Sequence, residues 1–252
     1  MRPTSRAKAI LGSWVRAPKR RQHERRHLIR NAPRGYRTGL EVELQFVFRG
    51  DGPLLVPVSL GDLELRRSKA ISILDTYYDS TSLDLRRNGC SLRLRQADNV
   101  LRPLLTLKGP ARQRNGGKRR YETEVEVDHL PPKISDMSAL LREMGLLRKL
   151  ERLARLDDSV ELVAIGELRN RRSEHRYEHG LHRLDLTWDE LEFPAGPTQI
   201  RLEVEARSET AERLLEQAAY ELQTVFGNRL DKPERGKARE LCERLYPELL
   251  AA

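Results

Sequence analysis

Two short acidic runs have the residue types and spacing to bind a metal ion. One reads Leu40-Glu41-Val42-Glu43-Leu44-Gln45-Phe46, and the other reads Arg201-Leu202-Glu203-Val204-Glu205-Ala206-Arg207. In each, two carboxylates are spaced i, i+2 among apolar neighbours. That is the period of a β-strand, so both acids of a pair share one face. Like charges side by side on a strand repel and are avoided unless a cation joins them. If the two strands pair, four acidic groups gather at one place, an oxygen-only donor set suited to a hard divalent ion such as Mg²⁺. The plainer alternative is a solvated acidic face, and the remaining strands must decide between the two.

Those strands alternate with the same period and carry the opposite charge. Ser91, Arg93 and Arg95 oppose Cys90, Leu92 and Leu94, while Thr106 and Lys108 oppose Leu105 and Leu107. Arg120, Glu122, Glu124 and Glu126 alternate with Tyr121, Thr123, Val125 and Val127, and Asp185, Thr187 and Asp189 form a further polar set. A half-exposed sheet would mix Ser, Thr and Gln into its polar face. Here the polar faces are almost wholly ionic and sorted by strand, which predicts a closed barrel with apolar faces outward under helices and charged faces lining a lumen. Such a lumen suits a polyanion bound through metal, with guanidinium and ammonium groups on phosphate oxygens and carboxylates on the bridging cation.

At this point the residues resemble a known family. The chain is similar to the CYTH, or triphosphate tunnel metalloenzyme, superfamily, marked by a Glu-x-Glu-x-Lys strand. Further segments follow in the family's order: Tyr77-Tyr78-Asp79, Leu92-Arg93-Leu94-Arg95, Thr106-Leu107-Lys108-Gly109, Arg120-x-Glu122-x-Glu124, Asp189, Glu203-x-Glu205 and Lys232-Pro233-Glu234-Arg235-Gly236. The resemblance spans about residues 39 to 245. It implies an α+β fold dominated by β, an eight-stranded antiparallel barrel covered by helices. It also implies hydrolysis of inorganic or small organic triphosphate with Mg²⁺ or Mn²⁺. By position, Glu41, Glu43, Asp189, Glu203 and Glu205 would hold metal. Arg93, Arg95, Lys108, Arg120, Arg172 and Lys232 would grip phosphate, and Glu122 and Glu124 would support them. The catalytic set would be Glu41, Glu43, Lys108, Glu203 and Glu205.

One position departs from that pattern. Where the family has Lys, this chain has Gln45, which keeps a hydrogen-bond donor and loses a charge worth up to about 4 kcal/mol at about 4 Å and an effective dielectric of 20. Three functions therefore remain open: a triphosphatase, a tunnel that binds polyphosphate or nucleotide without turnover, and, less favoured, a cyclase acting on ATP.

The elements that must position these residues are legible as well. A Leu-rich helical stripe runs from Ser135 to about Asp157 and should break at Gly145; a second runs from Thr210 to Phe226, and a third from Pro233 to Leu245. Ala111 to Lys118, with Gly116-Gly117, reads as a hairpin turn. His175, His179 and His182 fall across a strand-to-turn segment and do not read as a zinc site. Two cysteines, Cys90 and Cys242, make no disulfide framework and favour a reducing cytoplasm. No apolar run reaches membrane-spanning length. The net charge of +9 is misleading, because residues 1–38 hold twelve Arg or Lys and the single acid Glu24, leaving 35 basic and 37 acidic residues in 39–252. The composition predicts a disordered basic tail over 1–38 that could bind RNA, anionic lipid or polyphosphate, ahead of one tunnel domain over 39–252, monomeric or homodimeric.

Overall fold

A computed structural model describes residues 36–50, 54–114, 117–128, 137–156, 160–207 and 213–250. The strands are β1 (Arg37–Phe48), β2 (Ser59–Leu60), β3 (Leu63–Asp79), β4 (Ser91–Ala97), β5 (Leu104–Lys108), β6 (Arg112–Arg114), β7 (Gly117–Glu126), β8 (Val163–His179), β9 (His182–Glu192), β10 (Gln199–Ala206) and β11 (Leu230–Asp231). Eight of them form a continuous antiparallel ring in the order β1-β10-β9-β8-β3-β4-β5-β7, which the β7–β1 pairing closes. This is the expected eight-stranded barrel with helices outside. The basic segment expected to be disordered lies almost wholly outside the described residues; Arg37 and Thr38, assigned to it above, begin β1.

The alternation dictates which way each strand faces. Val42, Leu44, Phe46 and Phe48 of β1 pack outward with Leu202 and Val204 of β10 and Leu186 and Trp188 of β9 against the helix Leu214–Phe226. Phe48, Trp188 and Phe226 meet edge to face with centroids 5.3–5.8 Å apart, adding about 0.5–1.5 kcal/mol per pair beyond burial. A second apolar layer joins Leu92, Leu94, Leu105, Leu107 and Val125 to the helices Met137–Glu143 and Leu147–Ala154. Gly145, at φ 67°, makes the expected break between these two helices. The turn at 115–116 and the start of the Thr210 helix lie outside the described residues, and the last helix begins at Lys237, four residues later than expected.

A third apolar cluster lies under that last helix, Lys237–Leu245, where Leu241 and Cys242 meet Tyr77, Leu83, Ile165, Leu168 and Leu191. Gly166 permits this approach, since a Cβ there would stand 2.6 Å from Leu245 Cδ1. Arg201, buried in β10, fastens the same helix through Glu240 and the Arg235 carbonyl at 3.0 Å. Both cysteines are free and buried. Among the described residues no helix is long and apolar enough to cross a membrane.

Asp79 ends β3 and organises the turn into the short helix Asp84–Arg87. Its carboxylate accepts hydrogen bonds from the backbone N–H groups of Ser80 (2.8 Å), Leu85 (2.8 Å) and Arg86 (3.0 Å). Burial pushes the carboxyl up to about 6, outweighing those donors. An acid raised in the folded state holds its proton longer than the unfolded chain does, so its contribution to stability is full below about pH 4 and is lost as pH rises to about 6. Asp79→Asn should remove that loss. Between pH 4 and pH 7, urea denaturation should shift the stability difference between the two proteins by about 2 kcal/mol in favour of the variant. A difference independent of pH would show that the N–H donors govern the carboxyl instead.

Candidate functional site

The inward-facing residues of the ring build a cavity of about 280 Å³. From β1 it receives Glu41 and Gln45, with Glu43 buried between them, and from β10 Glu203 and Glu205. The two strands pair as expected, with Glu43 opposite Glu205 and Gln45 opposite Glu203. β4 contributes Arg93 and Arg95, β5 contributes Lys108, β7 contributes Lys118, Arg120, Glu122 and Glu124, and β8 contributes Arg172.

The acids do not stand as one bare cluster, because basic groups are interleaved among them. Arg120 joins the two acids of β1, with Nε 2.6 Å from Glu41 and Nη2 2.9 Å from Glu43. Lys108 bridges Glu41 at 2.7 Å and Glu122 at 2.9 Å. Across the lumen, Arg172 grips Asp189 with both nitrogens at 2.6 and 2.7 Å and reaches Glu203 at 3.4 Å. Asp75 takes Arg95 through two bonds of 2.7 Å and Arg93 at 3.5 Å. The cation that keeps like charges together on β1 is thus a guanidinium.

Burial would raise the Glu41 carboxyl, but Lys108 and Arg120 hold it well below the usual range. Asp189 is likewise held low against burial by Arg172 and Lys237, and Glu203 by Lys237 and Arg172. Glu43 and Glu205 behave differently. Burial, aided by the charges of Glu41 and Glu203, keeps Glu43 above its ordinary value despite Arg120. Burial pushes Glu205 up to about 8 although Arg207 pairs with it. Burial makes these two carboxyls, opposite each other on paired strands, resist ionisation, and their all-oxygen chemistry fits a hard divalent ion. As the side chains stand, no three acidic, imidazole or thiol groups among the described residues are gathered to hold one.

Two expected residues are placed differently. Lys232 is exposed on the outside, in a separate pocket with Arg49, Asp231 and Glu234. The lysine that enters the lumen is Lys237, at the first turn of the last helix, paired with Asp189 and, at 3.0 Å, with Glu203. Asp189, expected among the metal ligands, has both oxygens occupied by Arg172, Lys237 and Asn170. The histidines expected not to form a zinc site are spread along β8 and β9, with His175 bonded to Ser68 at 2.9 Å.

Sequence reasoning missed Lys118, Asp75 and Arg207. Lys118 and Arg207 continue period-2 runs already noticed, two residues before Arg120 and two after Glu205, whereas Asp75 lies in β3, where no such run was read. Lys118 bears directly on Gln45. Gln45 donates from Nε2 to Glu203 at 3.0 Å and accepts from Lys118 Nζ at 3.4 Å, and the same ammonium lies 3.7 Å from Glu43. The positive charge absent from β1 therefore arrives from β7.

Removing the central guanidinium tests this arrangement without reference to activity. Arg120→Met would leave Glu43 buried with only Lys118 nearby, so urea denaturation at pH 7 should show a loss of about 3 kcal/mol. A change below about 0.5 kcal/mol would mean that the lumen is wet enough to solvate both acids.

Comparison with known proteins gives a consistent result. The CYTH domain family model matches residues 39–235. Among solved structures, a putative adenylyl cyclase, HpAC1 from Hippeastrum, described as having a dominant triphosphatase activity, superposes with a TM-score of 0.55. Its identity is 21%, over 80% of this chain and 94% of that one. A putative adenylate cyclase from Bacillus halodurans gives a TM-score of 0.49 at 18% identity, over 81% of this chain and 97% of that one. No curated protein matches the sequence.

Proposed function

Because this chain belongs to the CYTH domain family, we propose that it hydrolyses a triphosphate inside its charged lumen with the aid of a divalent cation. The observation that carries this reading is the convergence of Arg93, Arg95, Lys108, Lys118, Arg120, Arg172 and Lys237 on one cavity that also holds carboxylates. Fixed cations in a space with little water stabilise charge developing on phosphate oxygens, and because they are already oriented they need little reorganisation at the moment of reaction. The lumen acids keep them oriented: Asp75 fixes Arg93 and Arg95, and Asp189 fixes Arg172 and Lys237.

Glu41, Glu43, Glu203 and Glu205 would hold Mg²⁺ or Mn²⁺, which when bound supplies charge neutralisation and a more acidic water. Arg120 and Lys108 then exchange a carboxylate partner for a phosphate oxygen, and Lys118 supplies the charge that Gln45 does not. The Hippeastrum protein described as a triphosphatase supports hydrolysis over cyclisation for this fold. The two free, buried thiols support a reducing, cytoplasmic setting.

The deciding experiment is phosphate release from inorganic triphosphate, ATP and thiamine triphosphate with Mg²⁺, with Mn²⁺ and with chelator. We expect release that requires metal and falls at least about 100-fold in Glu43→Gln and Glu203→Gln, with circular dichroism unchanged. Lys118→Gln should cost about 100-fold, and adding Gln45→Lys to it should restore most of the rate. Full activity in both glutamate variants would overturn the reading. Binding of triphosphate without release would reduce the protein to a binding tunnel.

A further inference from the structure

A second group of basic side chains stands at the end of the cavity where β3 stops, and the triphosphate reading leaves it unused. The wall passes Tyr77 to reach Asp79, and there Arg86 and Arg239 enter it beside Gly89 and Cys242. Arg86 comes from the short helix Asp84–Arg87, and Arg239 from the first turn of the last helix. Arg235, just ahead of that helix, completes the group from outside the cavity.

All three guanidiniums converge on one carboxylate. Glu243 Oε1 accepts from Arg239 Nε at 2.8 Å and from Arg86 Nη2 at 3.2 Å. Arg235 Nε stands 2.5 Å from Oε2, yet that oxygen has no partner in hydrogen-bonding geometry, and neither has the buried Nε of Arg86. Burial would raise the Glu243 carboxyl, but the bonds from Arg239 and Arg86 and the charge of Arg235 hold it below its ordinary value.

The other acids near these arginines are engaged elsewhere. Asp79 takes three backbone N–H groups, and Asp84 takes the hydroxyls of Ser80 and Ser82. Glu234 is 85% exposed and lies 4.0 Å from Arg235. Among the described residues, Arg86 and Arg239 form ion pairs with no acid but Glu243. Two carboxylate oxygens thus serve three planar forks, and donors are left over.

A tetrahedral oxyanion suits this arrangement better. It offers four oxygens in place of two, so each guanidinium can have its own acceptor, and its second negative charge meets more than one cation. We propose that Arg86, Arg235 and Arg239 form a site for inorganic phosphate, distinct from the lumen cations, in which Glu243 is the resident stand-in that a phosphate dianion displaces. The lumen cations stay free for the larger guest.

The test is calorimetric titration of the full chain with inorganic phosphate, in the native protein and in Glu243→Gln and Arg239→Gln. Arg239 is largely exposed, so its variant decides the matter even if Glu243→Gln loosens the helix. Glu243→Gln removes the resident competitor and should tighten phosphate about 10-fold, whereas Arg239→Gln should weaken it at least about 10-fold, the worth of one charge-assisted hydrogen bond. Sulfate should displace the bound phosphate, and acetate at equal ionic strength should not. Phosphate held only among the lumen cations would be indifferent to both substitutions, and that result would overturn the proposal. So would displacement by acetate, or an absence of binding in both the native and the Glu243→Gln proteins.

Discussion

The whole molecule depends on one electrostatic constraint: a low-water interior holding nearly as many fixed anions as fixed cations. Charges of that density cannot be buried singly, since an unpaired buried ion costs several kcal/mol. Basic groups from neighbouring strands are therefore interleaved among the acids, as Arg120 stands between Glu41 and Glu43 and Arg172 between Asp189 and Glu203. The pairing needs antiparallel strands in fixed register, because a slip of one residue would turn every charge outward and every leucine inward. Apolar clusters under the helices then hold the barrel from outside while the ionic lattice holds it from within.

That lattice also explains why the inside can serve as a receptor. The ion pairs keep long basic side chains extended and in place before any ligand arrives. A phosphate oxygen can replace a carboxylate oxygen on the same guanidinium with little change in geometry. The anions thus act as place-holders for a more highly charged guest, and Glu43 and Glu205, least comfortable in their ionised form, are the acids with most to gain from an added cation.

Much of this was legible in the chain because strand periodicity and charge coincide. The alternation of Glu41, Glu43 and Gln45 with Val42, Leu44 and Phe46 gave both direction and face, and the same held for Arg93 and Arg95, Lys108, and Arg120 through Glu124. Reasoning from pattern lost its grip where the backbone stops alternating. Lys232 and Lys237 flank a stretch of Pro, Glu, Arg and Gly in which no period says which side faces the lumen. The answer depends on where the last helix starts and on the contact permitted by Gly166, a tertiary matter. The pairing of Lys118 with Gln45 could be seen only once β7 was laid against β1, since the two are far apart in sequence.

The closure of the barrel has a consequence for its birth. β1 zips to β10, and Gln45 bonds to Glu203 across a separation of 158 residues. A chain emerging from the ribosome makes its first strand long before the partner exists, so β1 must wait with Phe46 and Phe48 uncovered while seven more barrel strands are synthesised. Such long-range pairing makes folding slow and leaves apolar edges open to wrong partners meanwhile. Lys237 arrives later still, at the start of the last helix, Lys237–Leu245. The receptor therefore comes into being as a late, nearly all-or-none event of synthesis, and a nascent chain halted before Lys237 would contain all eight barrel strands and an unbalanced interior.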